Sequence, residues 1–216
     1  QLIYFTDAHQ LYELDDIAGG RGGIARLKYV VDQAKQHNKE LLTIHGGDFV
    51  GGVLYGGIYK GRNMVKAFNK IPVDIFNFGQ HEFDYGVDHL IELIKESNGQ
   101  FFTSNLVQSD QQPLNGLPKE LIHTINNRNL LFIGLTDQMS TTKQDPRVHS
   151  EDLLHSVQSI LEKHRDKPLD YIIVLTQMDL EKNRELVNTF PQISLVLTEE
   201  VNEYESQINY VGAVPI

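Results

Sequence analysis

Cysteine is absent from this 216-residue chain, which removes disulfides and thiolate zinc centres at once. Any metal must be held by imidazole, carboxylate or amide groups, and the redox compartment is left open. Positive charge is also scarce. Lys and Arg number 19 against 29 Asp and Glu, for a net charge of −10, which excludes a surface built to neutralise the phosphates of a nucleic-acid polymer. A small phosphorylated substrate stays admissible where a cation intervenes. Long apolar runs are missing too: Tyr171 to Leu175 and Leu130 to Leu135 fall far short of the roughly 20 residues that span a bilayer. No charged segment followed by an apolar one opens the chain, because Gln1-Leu2-Ile3-Tyr4-Phe5 already reads as a strand. We therefore expect an upstream segment, such as a signal peptide, to have been removed from a secreted, periplasmic or surface protein. A cytoplasmic protein with a short start is the alternative. The final Val214-Pro215-Ile216 reads as a strand without polar closure, and the chain is expected to continue.

With 40% hydrophobic residues, a chain of this size can bury well over half of its unfolded surface around one core. Apolar periodicity predicts strands at Leu2–Thr6, Leu41–His45, Val73–Phe78, Phe101–Thr103, Tyr171–Thr176 and Ile193–Leu197. Helices are predicted at Gly22–His37, Asn63–Lys70, Val87–Glu96, Asp152–His164 and Leu180–Thr189, with a glycine-rich connection over Gly46–Gly61. A hairpin pairs Leu121–Ile125 with Leu130–Leu135 through Asn126-Asn127-Arg128-Asn129, a turn composition that tolerates positive φ. The alternation is that of an α/β fold with a mixed sheet, in one domain over residues 1–216.

Three strand ends finish in acid or imidazole side chains: Thr6-Asp7-Ala8-His9, Gly46-Gly47-Asp48 and Gly79-Gln80-His81-Glu82-Phe83-Asp84. In α/β proteins ligands gather beyond the carboxyl ends of the strands, so these fragments can converge. Asp7 and His9 lie two apart, which in extended backbone puts both on one face, suited to a single divalent ion. An isolated Asp-x-His is more often a turn acid beside an incidental His. Asp48 follows glycine, which permits close approach, and is a candidate bridging carboxylate; alone it could equally be a turn residue. His81 and Asp84, three apart, can form a dyad that donates a proton to a leaving oxygen, against the plainer reading of a structural His with a solvent-facing Asp. His37, His155 and His164 fall on helices, His89, His123 and His149 lack ligand-like neighbours, and His45 is at most a supporting group.

Taken in order, Phe5-Thr6-Asp7-Ala8-His9, Gly20-Arg21-Gly22-Gly23-Ile24-Ala25-Arg26-Leu27, Gly46-Gly47-Asp48, Gly79-Gln80-His81-Glu82-Phe83-Asp84-Tyr85-Gly86, Thr103-Ser104-Asn105-Leu106 and Phe132-Ile133-Gly134-Leu135-Thr136 closely resemble the 5'-nucleotidase branch of the calcineurin-like metallophosphoesterases. The resemblance implies a four-layer sandwich of two mixed β-sheets flanked by helices. It also implies a metal position at Asp7, His9 and Asp48, with Asn202 as a fourth ligand, and a catalytic dyad of His81 and Asp84. The second metal position would be offered Asp48, Gln80, Gln177 and Glu200, where the family has Asn and two His. That all-oxygen set favours Mg, Ca or Mn over Zn, and the family's range of Mn, Mg, Zn, Fe or Ca, as one or two ions, stays in scope. The implied function is metal-dependent hydrolysis of a phosphate ester, most plausibly a nucleotide. The alternative is a degenerate member that binds metal or a partner without catalysis.

Overall fold

The computed structural model describes residues 1–8, 10–13, 20, 22–51, 54–137, 139, 145–199 and 208–216. In its first half, β1 (Leu2–Phe5), α1 (Ile24–His37), β2 (Leu42–His45), α2 (Leu54–Tyr59), α3 (Arg62–Phe68), β3 (Ile75–Phe76), α4 (Val87–Glu96) and β4 (Gln100–Phe101) follow in order. The four strands form one sheet in the order β1-β2-β3-β4, every pair parallel. The helical segments between them are the crossovers that parallel pairing requires.

After β5 (Leu106–Gln108) come β6 (Glu120–Ile125), β7 (Arg128–Thr136), β8 (Val148–Ser150), α5 (Leu153–Lys163), β9 (Tyr171–Gln177), α6 (Leu180–Thr189) and β10 (Leu195–Leu197). The second sheet runs β10-β9-β7-β6 and is mixed, since β6 is antiparallel to β7 while β7, β9 and β10 are parallel. A short ladder joins β5 to β8, and β11 (Tyr210–Val211) pairs with β12 (Val214–Pro215).

Side-chain alternation along the strands produces the layers. Leu2, Tyr4, Leu42, Ile44, Ile75 and Phe102 of the first half meet Leu130, Phe132, Ile173, Leu175, Leu195 and Leu197 of the second in an apolar seam between the sheets. The alternate residues Ile3, Phe5, Phe76 and Phe101 pack with Val31, Val65, Phe68, Leu90 and Leu93 of α1, α3 and α4. On the far side, Leu131, Ile133, Val174 and Val196 pack with Val157 and Ile160 of α5 and Leu186 and Val187 of α6. The result is helix, sheet, sheet, helix. Helices α5 and α6 start on side-chain caps: Asp152 accepts the His155 N–H at 2.8 Å and Asp179 that of Lys182 at 2.9 Å.

Several expected boundaries shift. The sheet expected as mixed in the first half is parallel throughout its described strands. The turn between β6 and β7 is the two-residue Asn126-Asn127, both at positive φ (50° and 59°), so Arg128 and Asn129 already belong to β7. Strand Val73–Phe78 shrinks to Ile75–Phe76 and Phe101–Thr103 to Gln100–Phe101. The glycine-rich connection contains α2, whose glycines concealed it. Among the described residues, no helix is long and apolar enough to cross a membrane.

Candidate metal centre and acid dyad

Because β1, β2 and β3 are neighbours in register, the loops leaving their carboxyl ends lie side by side. Asp7 and Asp48 both take left-handed φ, 54° and 58°, a conformation uncommon for non-glycine residues and concentrated at functional sites. The Asp7 N–H donates to the Gly47 carbonyl at 3.1 Å, pinning the first loop to the second. A Cβ on Gly79 would fall 2.1 Å from Asp48 Oδ1, so only glycine lets the third loop press against that carboxylate.

Asp48 is buried, and its Oδ1 accepts the His81 backbone N–H at 2.8 Å. Burial pushes its carboxyl up to about 6; the N–H and charge of His81 oppose the shift, and the charges of Asp7 and Asp84 add to it. His81 opens a short 3-10 turn, half exposed, with Nδ1 2.9 Å from Asp84 Oδ2. Burial alone would lower this imidazole, but the Asp84 hydrogen bond and the charges of Asp48, Asp84 and Asp7 outweigh it and leave the pKa raised. The side chain of Gln80 makes no hydrogen bond among the described residues; its backbone carbonyl accepts from Phe83 N at 3.1 Å.

Glu82 is a site residue the sequence did not single out. It is fully buried, with Oε2 accepting from Asp48 N (2.8 Å) and Gly79 N (2.7 Å), and Oε1 from Phe49 N (2.7 Å) and Val50 N (3.3 Å). One carboxylate thus fastens the Asp48 loop to the His81 loop. Burial and then the charge of Asp48 raise its pKa well above the ordinary range, against the pull of the backbone N–H groups. The only sequence signal was its place between His81 and Phe83. His45 proves a supporting group: wholly buried among Phe5, Phe49, Phe68 and Phe76, it accepts the Gly47 N–H on Nδ1 at 3.1 Å. Burial lowers its pKa to about 3, so it is neutral and shapes the loop before Asp48.

The second sheet contributes from the ends of β9 and β10. Gln177, the last residue of β9, is wholly buried and turns toward Asp48 and Glu199. Burial pushes the Glu199 carboxyl up to about 7, with the charges of Asp7, Asp48, Asp137 and Asp179 adding to it. His9, Glu200 and Asn202 lie outside the described residues; among the described residues of this loop, Glu199 lies near Asp48. Tyr4 ties the halves together, its hydroxyl donating to the Thr198 carbonyl at 2.9 Å.

The donor chemistry suits a divalent cation: carboxylates from both sheets are buried near one another, so that desolvation first and mutual repulsion second raise the pKa values of Asp48 and Glu199. Among the described residues no group of three or more acidic or imidazole side chains could hold a metal, so His9 at one position and the Gln177 amide at the other would have to complete the sets.

This four-layer fold, with acids and a His–Asp pair at its strand ends, is that of a phosphoesterase. The family profile of the calcineurin-like phosphoesterases matches residues 2–206, and the chain belongs to that family. It is 25% identical over 215 residues to a probable 5'-nucleotidase of Treponema pallidum, covering 93% of this chain and 36% of that protein. The solved 5'-nucleotidase precursor of Thermus thermophilus superposes with a TM-score of 0.82 at 22% identity, covering 92% of this chain and 41% of the other. The sulfate thiohydrolase SoxB from Thermus thermophilus superposes at 0.83 with 16% identity, over 99% and 50%. The chain therefore spans about a third of the curated relative's length, and the structural likenesses speak to the fold.

Proposed function

We propose that this chain is the catalytic part of a metal-dependent phosphoric ester hydrolase acting on a small phosphorylated substrate, a nucleotide foremost. The observation that supports this most strongly is the His81–Asp84 pair set against Asp48 through the 2.8 Å backbone contact. Asp7, His9 and Asp48 would hold a divalent ion, which would supply the positive charge to neutralise phosphoryl oxygens and acidify water. Asp84 accepts from Nδ1 of His81, which leaves Nε2 as the ring nitrogen for chemistry. The Asp84 hydrogen bond and the nearby carboxylates favour the protonated imidazole, which can protonate the leaving alkoxide; the neutral ring then takes a proton back from water. Glu82 holds the two loops in register meanwhile. The nucleotide preference draws on the relatives, two of which carry 5'-nucleotidase in their descriptions, and an extracytoplasmic location draws on the precursor form of one of them.

Replacing His81 with Ala should lower turnover of a nucleoside monophosphate at least ~10-fold, within the range usual for general acid–base groups. Unchanged turnover would remove His81 from the mechanism. Wild-type protein with no Mn-stimulated hydrolysis of any phosphomonoester would favour the degenerate, binding-only member.

A further inference from the structure

Thr103-Ser104-Asn105-Leu106 and Phe132-Ile133-Gly134-Leu135-Thr136 carry neither acid nor imidazole, yet the fold joins them side by side. Strand β6 reaches only as far as Ile133 along β7, and beyond it the segment after β4 takes over that edge. Ser104 exchanges two hydrogen bonds with Gly134, its N–H donating to the Gly134 carbonyl at 2.8 Å and its Oγ accepting the Gly134 N–H at 2.9 Å. Asn105 does the same for Thr136 with its side-chain amide alone: Oδ1 accepts the Thr136 N–H at 3.0 Å and Nδ2 donates to the Thr136 carbonyl at 2.8 Å. Both side chains of this second pair are wholly buried.

The Thr136 hydroxyl donates to the Phe78 carbonyl at 2.7 Å. The N–H of that same peptide group, on Gly79, donates to Glu82 Oε2 at 2.7 Å. The peptide from which the dyad loop departs is therefore gripped at both ends, by the loop's own acid on one side and by the second sheet on the other. Turning it would strip a buried carbonyl of its donor, which is costly. Thr136 stands opposite Gln177 in the β7–β9 pairing, so the hydroxyl ties the root of the dyad loop to the strand end that meets Asp48. This contact is separate from the one between Tyr4 and Thr198.

We propose that Thr136, held by Asn105, is a positioning residue for the acid dyad: through the Phe78–Gly79 peptide it sets the loop that carries His81 and Asp84 against the second sheet, so that the imidazole meets the leaving oxygen. The catalytic consequence rests on the hydrolase reading; the anchoring of the loop does not. Because Thr136 and Asn105 are wholly buried, they reach the chemistry only through His81.

The test compares Thr136→Val, which keeps the shape and removes the donor, with Thr136→Ser, which keeps the hydroxyl, in the whole chain with Mn added. Hydrogen exchange over residues 79–86 should rise at least ~10-fold in Thr136→Val and in Asn105→Ala, stay unchanged over α1, and return to the wild-type rate in Thr136→Ser. Thr136→Val should lower kcat at least ~10-fold for a nucleoside monophosphate, whose alkoxide needs a proton, with KM within about twofold. Turnover of p-nitrophenyl phosphate, whose phenolate leaves unprotonated, should hold within about twofold. Circular dichroism checks folding, and the valine and serine pair carries the test if Asn105→Ala does not fold. Unchanged exchange in Thr136→Val overturns the proposal. An equal loss on both esters overturns it too, since that assigns Thr136 a general structural role. A wild type that hydrolyses neither ester would sink the hydrolase reading, and the exchange comparison would then decide the anchoring by itself.

Discussion

The two sheets bring different chemistry to the same edge of the molecule. From the first come Asp7, Asp48, His81 and Asp84, on loops locked by backbone hydrogen bonds, left-handed aspartates and the buried Glu82. From the second come an amide, Gln177, and a carboxylate, Glu199, held by side-chain contacts to Thr6 and by the Tyr4–Thr198 tie. By the family resemblance, the first half would keep Asp7, Asp48 and the His81–Asp84 dyad while carrying Gln80 for Asn, and the second would offer Gln177 where the family has His. Backbone locks tolerate little change, because altering one acid leaves several N–H groups unsatisfied. Side-chain donors at strand ends are replaceable one at a time, because each contact there involves a single pair of groups.

The contrast can be broken most forcefully at Glu82. Glu82→Ala leaves the N–H groups of Asp48, Phe49, Val50 and Gly79 without their acceptor. At about 1–3 kcal/mol for each buried group left unsatisfied, a loss of at least ~3 kcal/mol is expected in urea unfolding, even with its repulsion toward Asp48 relieved. A loss below ~1 kcal/mol would show that the loops are held by something else. A smaller effect should follow from Tyr4→Phe, which deletes the hydroxyl that joins the halves. About 1 kcal/mol of stability should go, while the dyad's pH profile stays put. A dyad profile that moved would mean the halves are not separable.

The smallest effect concerns the second half away from the site. Burial would raise the Glu120 carboxyl, but Lys163 Nζ at 2.5 Å and His164 Nε2 at 3.0 Å outweigh it and hold the pKa below the ordinary value. A depressed acid contributes stability above its unfolded pKa and loses it as pH falls through the folded one. Stability should therefore decline below about pH 4.3, and Glu120→Gln should flatten that acid limb in a pH series of thermal unfolding. An unchanged limb would assign the acid sensitivity to another acid held below its ordinary pKa, such as Asp145 beside Arg147.

Much of the fold was legible because local rules and tertiary contacts agree. The spans of α4 and α6 match the periodicity, and Asn126-Asn127 took the positive φ that its composition allowed. Where they disagree, the sequence misled. Helix α2 hides behind glycines that count against helices, and the β5–β8 ladder joins three-residue strands some 40 positions apart, too short to leave a periodic trace. At the site, Asp48, His81 and Asp84 were readable because each follows a strand end within a few residues. Glu82 was not, since its role lies in backbone N–H groups that carry no residue identity. Nor did the sequence single out Glu199.

By itself, then, the chain's order of residues determined the family, the strand-end placement of its acids and the His81–Asp84 dyad, because these depend on neighbours within one loop. Only the tertiary structure decided that Glu82 clamps two loops and that Gln177 and Glu199 meet Asp48. Those contacts join positions 34 to 151 residues apart, and their geometry is set by how two sheets pack, which no local spacing encodes.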